Sequence, residues 1–150
     1  MNKTGLSFEE CVEMVEEIIK QDLELDPLQN RIGNMGHDIA MWGLTRGSAT
    51  VYTVLNKVPT TNYIQVFSPI IKITGEGSAA LYLKLLQLNS SPELCNAAFA
   101  VKDTNVVLKS DRTTQDLSRA ELLEMIMRIG KLADKYDDKL LEEFGGEMFD

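Results

Sequence analysis

A long amphipathic helix near the C-terminus is the feature that most constrains what this chain can fold into. Ser118 and Glu121 match a capping box, which satisfies backbone amides at a helix start, so we predict a helix from Arg119 to Phe144. Apolar residues then recur at steps of three and four, which places them on one stripe. The stripe consists of Leu122, Ile126, Ile129, Ala133, Tyr136, Leu140 and Phe144. At ~1.5 Å per residue this helix spans roughly 35–40 Å, more than a small core needs, which favours a surface for a second copy or a client.

The two halves of this helix differ in the width of their apolar surface. From Leu122 to Ile129 the stripe is flanked by Leu123 and Met127, so this half should belong to the core. From Lys131 onward the stripe is narrow and lies between charges, so we expect this half to project. Carboxylates there share one face with lysines at matching offsets, which indicates a solvated, salt-bridged face rather than a cation site. The carboxylates are Asp134, Asp137 and Asp138, and the lysines are Lys131, Lys135 and Lys139.

Length and charge bound the class of protein. A chain of 150 residues with 44% hydrophobic content is long enough for one core, so we expect a single domain over residues 1–150. The formal net charge of -8 repels phosphate groups, which argues against nucleic acid or an anionic membrane as partner. The N-terminus lacks the apolar core of a secretory signal, and no apolar run approaches the ~20 residues that span a bilayer. We therefore expect a cytoplasmic protein.

The order of the predicted elements indicates an α+β fold. Ser7 and Glu10 form a second capping box, which starts a first helix with an acidic outer face. Three strands follow with short links, so they should pair as an antiparallel meander. These strands run from Ile39 to Arg46, from Thr50 to Asn56 and from Tyr63 to Thr74. A helix from Ala79 to Leu88 then precedes a hairpin of Cys95 to Lys102 and Val106 to Ser110. The predicted order is αβββαββα, an antiparallel sheet with helices packed on it.

The connector from Asp26 to Asp38 leaves two questions open. Its apolar residues are sparse, so it either packs against the core or forms a mobile flap. His37, the only histidine, precedes Asp38, and an enzyme using this pair is the weakest of three hypotheses, because catalysis also requires a positioned nucleophile. No familiar catalytic motif is present, so we expect no enzyme activity, no catalytic residue and no cofactor. One histidine and two separated cysteines also lack the spacing of a metal centre.

The second half of the chain has a pattern of elements and residues that is similar to that of a known family. It comprises a helix ending in Leu85 to Asn89, a hairpin at Asp103 to Leu108, the segment Leu117 to Leu123 and a helix containing Ala133 to Leu140. This pattern resembles the YbjN-like family of bacterial sensory transduction regulators, and the element order is similar to that of class I type III secretion chaperones. The resemblance implies a secretion-chaperone-like fold and a small, acidic, non-enzymatic protein. Secretion chaperones form homodimers and hold partner chains in extended form, so the resemblance implies the same behaviour here.

Large apolar side chains indicate where a partner should bind. Both faces of the predicted sheet carry such groups, so we expect helices on one face and a second subunit or a client on the other. The candidates for partner or dimer contact are Trp42, Tyr52, Phe67, Tyr136, Leu140 and Phe144. We expect a chaperone-like or regulatory interaction protein that forms a homodimer and binds a protein or peptide client. The alternative is a small-ligand sensor in which Leu28 to His37 closes over a pocket near Trp42.

Overall fold

The computed structural model describes residues 6–33, 38–59, 61–75 and 78–149, and these residues form three α-helices and five strands. The helices are α1 (Phe8–Glu17), α2 (Ala79–Asn89) and α3 (Arg119–Phe144). The strands are β1 (Ile39–Arg46), β2 (Ala49–Val58), β3 (Thr61–Lys72), β4 (Ala98–Lys102) and β5 (Asn105–Thr113). They form one antiparallel sheet in the order β1-β2-β3-β5-β4. The predicted α+β class and element order are confirmed.

The chain forms two compact units, and several strands and α3 contribute residues to both. Unit 1 comprises Met1–Leu44, Tyr52–Val66 and Asp111–Met127. Unit 2 comprises Thr45–Val51, Phe67–Ser110 and Arg128–Asp150. The expectation of a single domain stays a prediction, and one cooperative unfolding transition would be its signature.

Unit 1 is built on α1 and the first half of α3. The capping box of α1 is present, since the Glu10 amide donates to Ser7 Oγ at 3.1 Å and the Ser7 amide donates to Glu10 Oε1 at 3.1 Å. The helix then continues into one π-helical turn, Ile18–Asp22. Large apolar side chains from the helices and strands of the unit are almost fully buried and form its core. They include Phe8, Val15, Ile18, Trp42, Leu44, Leu55, Ile64, Leu122 and Ile126.

The start of α3 in unit 1 follows the sequence prediction. The Glu121 amide donates to Ser118 Oγ and the Ser118 amide donates to Glu121 Oε1, each at 3.1 Å. Arg119 Nη2 also donates to Asp22 Oδ2 at 2.8 Å, which ties the beginning of α3 to the end of the first helix. The observed bounds Arg119–Phe144 match the prediction. The core role expected for the first half of α3 is confirmed for Leu122 and Ile126, which are buried, but it is wrong for the flanking Met127, which is 43% exposed.

The second half of α3, in unit 2, does not project as we expected. Ala133, Tyr136 and Leu140 are buried within unit 2. The Tyr136 hydroxyl donates to Glu93 Oε2 at 3.1 Å. Its ring meets the Phe99 ring edge-on, with centroids 5.6 Å apart and planes at 87°. Tyr136 of the narrow stripe is therefore covered by Glu93, which precedes β4, and by Phe99 of β4, residues that lie far from it in sequence.

The acidic face of α3 is also less solvated than we expected. Asp137 is buried, and Ser48 Oγ lies 2.7 Å from its Oδ2. Asp134 accepts hydrogen bonds from the Ser48 hydroxyl at 2.6 Å and the Ser48 amide at 2.9 Å, which hold its pKa below the usual range. Gly47 makes this approach possible, because a Cβ there would lie 2.7 Å from the Asp134 carboxyl group, and its φ is +59°. The turn between β1 and β2 is thereby held against α3.

The prediction that the β4 strand starts at Cys95 is wrong. Ser91 caps a short 3₁₀ turn, Pro92–Leu94, and β4 begins only at Ala98. Cys95 has a φ of +53° and is exposed. Proline fixes its own φ at a helical value, which favours a turn over an extended strand at this point.

Candidate functional site

Helix α2 in unit 2 carries two apolar faces, of which only one is covered. Leu81 and Leu85 are buried, whereas Leu83 is 57% exposed and Leu86 is 68% exposed. Tyr82 and Ala79 are also exposed and lie three or four residues from these leucines, so the four residues form one stripe. We call Ala79, Tyr82, Leu83 and Leu86 the α2 stripe. Exposed apolar stripes on a helix are typical of protein contact sites.

The α2 stripe is also unusual in its charge. Lys84 is the only charged residue of the helix, although the whole chain carries a net charge of -8. Ser78 starts the helix by accepting a hydrogen bond from the Leu81 amide at 3.0 Å. A short, nearly uncharged helix with an apolar outer stripe suits contact with another acidic molecule, because close approach there brings few like charges together.

A small pocket with both polar and apolar lining lies in unit 2 beside the start of α2. Its cavity volume is about 110 Å³. The lining residues come from the end of β3, the start of α2 and the end of α3. They are Ile71, Ile73, Thr74, Ser78, Leu81, Phe144, Gly145 and Gly146. The volume fits a single side chain rather than a cofactor, because pockets for cofactors and other small molecules measure about 300–1,000 Å³.

Two glycines shape one wall of this pocket. Gly145 has a φ of +76° and its amide donates to Leu141 O at 2.8 Å, which ends α3. Gly146 has a φ of +104°, and a Cβ there would lie 2.6 Å from Lys72 O. The chain then pairs with the end of β3, since the Lys72 amide donates to Glu147 O at 2.7 Å and the Glu147 amide donates to Lys72 O at 2.9 Å. The C-terminal segment is therefore folded back onto β3.

The two outer strands of the sheet are both covered in part. At β4, in unit 2, Asn89 Oδ1 accepts from the Phe99 amide at 2.7 Å and Asn89 Nδ2 donates to Phe99 O at 3.1 Å. This side-chain amide satisfies one outward-facing backbone position. Farther along the same edge, Val101 is 44% exposed.

The outer edge of β1, in unit 1, is covered by the connector, so part of this segment packs rather than forming a flap. The Ile32 amide donates to Met41 O and the Gly43 amide donates to Asn30 O, both at 2.9 Å. Arg31 lies opposite Trp42 in an antiparallel bridge. We call residues 26–33 the strap.

A salt bridge holds the strap against α1. Arg31 donates from Nε to Glu16 Oε2 at 2.8 Å and from Nη2 to Glu16 Oε1 at 2.7 Å. The Trp42 indole Nε1 donates to the same Oε2 at 3.2 Å. Hydrogen bonding from Arg31, with a smaller contribution from Trp42, lowers the pKa of Glu16 against the opposing effect of burial. The strap thus presents one cation to a carboxylate that the indole holds in place.

The residues that the sequence singled out fall into two groups. Trp42, Tyr136 and Leu140 are buried, whereas Tyr52, Phe67 and Phe144 are only half-buried. Of these six, Phe144 lines the pocket in unit 2. The partner roles of all six stay predictions, as does a ligand pocket near Trp42. His37 lies outside the described residues. Sequence reasoning missed the α2 stripe, although the apolar residues on most sides of α2, interrupted by Lys84 and Gln87, were the signal that could have revealed it.

Two general features of the described residues bear on function. None of the helices there is both long enough and apolar enough to traverse a lipid bilayer. In the same part of the chain no group of three or more His, Cys, Asp or Glu side chains is arranged to hold a metal ion.

Comparison with known proteins identifies one family and several solved structures with a similar fold. The family model described as T3SS (YopN, CesT) and YbjN peptide-binding chaperone 1 matches residues 9–150. A search among curated proteins finds no match. These findings, with the structural matches below, confirm the resemblance that the sequence suggested.

Three solved structures share the fold at low sequence identity. One chain of the ExsC–ExsE complex matches with a TM-score of 0.62 at 13% identity, covering 93% of this chain and 97% of that one. One chain of the heterodimeric ExoU–SpcU complex from the type III secretion system of Pseudomonas aeruginosa matches with a TM-score of 0.55 at 14% identity, covering 87% and 97%. One chain of the HopA1–SchA chaperone–effector complex matches with a TM-score of 0.56 at 10% identity, covering 87% and 94%.

Proposed function

We propose, from the premise that this chain belongs to the family of T3SS (YopN, CesT) and YbjN peptide-binding chaperones, that it holds an extended segment of a client protein. The HopA1–SchA structure is a chaperone–effector complex, which supports a protein client for this chain as well. Family membership alone does not say where the client binds.

The observation that carries the proposal is the open pocket beside Phe144. Its volume of about 110 Å³ suits one apolar side chain, and an extended segment presents alternate side chains to a surface. We propose that one apolar side chain of the client enters this pocket and anchors the segment. Phe144, which the sequence marked as a partner candidate, forms part of the wall.

We further propose that the chain forms a homodimer through the α2 stripe. The exposed parts of Leu83 and Leu86 gain by burial against the same stripe of a second copy. Two copies that each carry a net charge of -8 repel one another, and α2, whose only charged residue is Lys84, is a surface where that repulsion is weak.

The remaining parts of the proposal concern what the protein does not do and where it acts. We propose a non-enzymatic, cofactor-free protein of a single domain, located in the cytoplasm, that binds neither nucleic acid nor membrane. The acidic charge supports the last two points, because phosphate groups are repelled at close range.

A peptide array read with matched variants tests the proposal. Wild-type protein should bind a subset of 12-residue peptides that share an apolar residue. Thr74→Trp adds an indole at a residue that lines the pocket and should weaken those peptides at least tenfold, whereas Gln115→Trp, at an exposed position before α3, should change binding less than twofold. Binding of no peptide by the wild type would refute the client role. Equal binding by the wild type and Thr74→Trp would refute the pocket as the anchor.

A further inference from the structure

The outer edge of β1 offers the backbone groups that a bound strand would use. Exposed strand edges pair readily with other extended segments. Here the Met41 carbonyl and the Gly43 amide, one on each side of Trp42, are already paired with Ile32 and Asn30, each at 2.9 Å. An incoming client strand would make the same two hydrogen bonds, so the strap and such a strand exclude one another.

The strap also shows which side chains this edge accommodates. Arg31 reaches the α1 side of the strand and makes two hydrogen bonds to Glu16 at 2.7 and 2.8 Å. Ile32 lies over Gly43, where a Cβ would come within 2.8 Å of Ile32 Cδ1. Because neighbouring residues of a strand point to opposite faces, the edge has two subsites. The first subsite is the Glu16 carboxylate on one face of the strand. The second is the space above Gly43 on the other face, which accommodates a branched apolar side chain.

The strap is lightly held. Leu28 is 66% exposed and Ile32 is 39% exposed, and the pairing with β1 is an isolated bridge rather than a ladder. The Arg31–Glu16 pair is partly solvated, with side-chain exposures of 34% and 20%. A segment held by two backbone hydrogen bonds and a solvated ion pair is displaceable by a longer strand.

We propose that residues 30–32 inhibit the protein by taking the place of a client strand at the outer edge of β1, and that a client segment displaces them when it carries a basic residue followed by an apolar one. This inference rests on the proposed client role and adds to it autoinhibition by the strap and a side-chain preference. The net charge of -8 favours a basic client segment. Strand addition supplies affinity through the main chain, while Glu16 and Gly43 select the side chains.

The test uses the strap sequence itself as the probe. A fluorescein-labelled peptide of residues 26–33 is titrated against wild type and against Arg31→Ala/Ile32→Pro, which removes the cation and the Ile32 amide donor. The released variant should bind the peptide at least tenfold more tightly than wild type, followed by anisotropy. A peptide with Glu in place of its arginine should not bind.

Two further variants assign the binding to the Glu16 subsite. Glu16→Gln, added to the released variant, should weaken the peptide at least fivefold. Glu13→Gln, which removes the same charge from an exposed position one turn away on α1, should change it less than twofold. Equal effects of the two substitutions would overturn the Glu16 subsite.

A reversible lock keeps the test valid even where the released variant fails to fold. Ile32 and Met41 are the residues next to the bridged pair Arg31 and Trp42, and the Ile32 amide donates to Met41 O at 2.9 Å. Residues paired in this way have Cα atoms about 5.5 Å apart, which is within disulfide range. In Ile32→Cys/Met41→Cys/Cys95→Ser, the oxidised form should bind peptides with the basic–apolar pattern at least tenfold more weakly than the reduced form. Equal binding in both forms, or no gain on release, overturns the β1 site. If the array peptides still bind wild type and respond to Thr74→Trp, the client role stands without it.

Discussion

Replacing the two exposed leucines of α2 gives the sharpest prediction about assembly. Full burial of a leucine contributes about 1.5–3 kcal/mol. Leu83 is 57% exposed and Leu86 is 68% exposed, so covering what remains open contributes about 1–2 kcal/mol for each residue. Both residues of both copies enter a symmetric interface, which gives about 4–8 kcal/mol in total as an upper bound. The lower end of this bound corresponds to about a thousandfold, so Leu83→Ser/Leu86→Ser should raise the dimer Kd by up to about a thousandfold.

Sedimentation velocity over a range of concentrations measures this change. The wild type should show a dimer at micromolar concentration and the double variant a monomer. At concentrations well below the wild-type dimer Kd, where both proteins are monomers, their thermal midpoints should differ little, because surface substitutions alter stability by about 0.5 kcal/mol or less. Leu28→Ser, at a leucine that is 66% exposed on the strap, is the matched control and should leave the dimer intact. A monomeric wild type, or a double variant that dimerises as tightly, refutes the reasoning.

Three further predictions concern stability. Ile126→Ala, at a fully buried position, should cost about 2–5 kcal/mol in urea unfolding, and a loss below about 1 kcal/mol would contradict the core assignment. Gly146→Ala places a Cβ against Lys72 O at a residue whose φ is +104°. It should therefore lower the thermal midpoint more than Gly75→Ala, where φ is also positive but no atom lies within 4 Å of the added Cβ. Equal effects of the two substitutions would contradict the close approach. Glu16→Gln should destabilise the protein at pH 7. Because the pKa of folded Glu16 lies below its ordinary value of 4.5, that difference should persist above pH 4.5 and vanish as pH falls through the folded pKa. A pH-independent difference in thermal midpoint would show that charge is not the cause.

Local sequence signals were sufficient for most of the fold. The Ser118–Glu121 pair fixed the start of α3, because a capping box is made by residues three apart and depends on little else. The end at Phe144 follows from Gly145, whose φ of +76° suits a glycine that terminates a helix. Strand β1 was predicted with its observed bounds, Ile39–Arg46, since its alternation and flanking turns are local features.

Features that depend on contacts between distant segments could not be predicted from the sequence. The strap has too few apolar residues to signal an element, and its place on β1 depends on Arg31 meeting Glu16 across 15 positions of sequence. Asp137 was predicted to be solvated, because the sequence of α3 does not indicate a contact with Ser48, which lies 89 positions away in the chain. Trp42 looked suited to a partner or ligand, yet it is fully buried with its indole bonded to Glu16. Side-chain type alone does not distinguish a core aromatic from a binding aromatic.

Hydrogen–deuterium exchange with and without a saturating array peptide tests most directly whether this chain holds an extended client. The account predicts slowed exchange in the segments that line the pocket, at the end of β3, the start of α2 and the turn after Phe144. It predicts a single, saturable binding event per chain. Unchanged exchange in all three segments at saturation, or protection confined to other parts of the chain, would contradict the account.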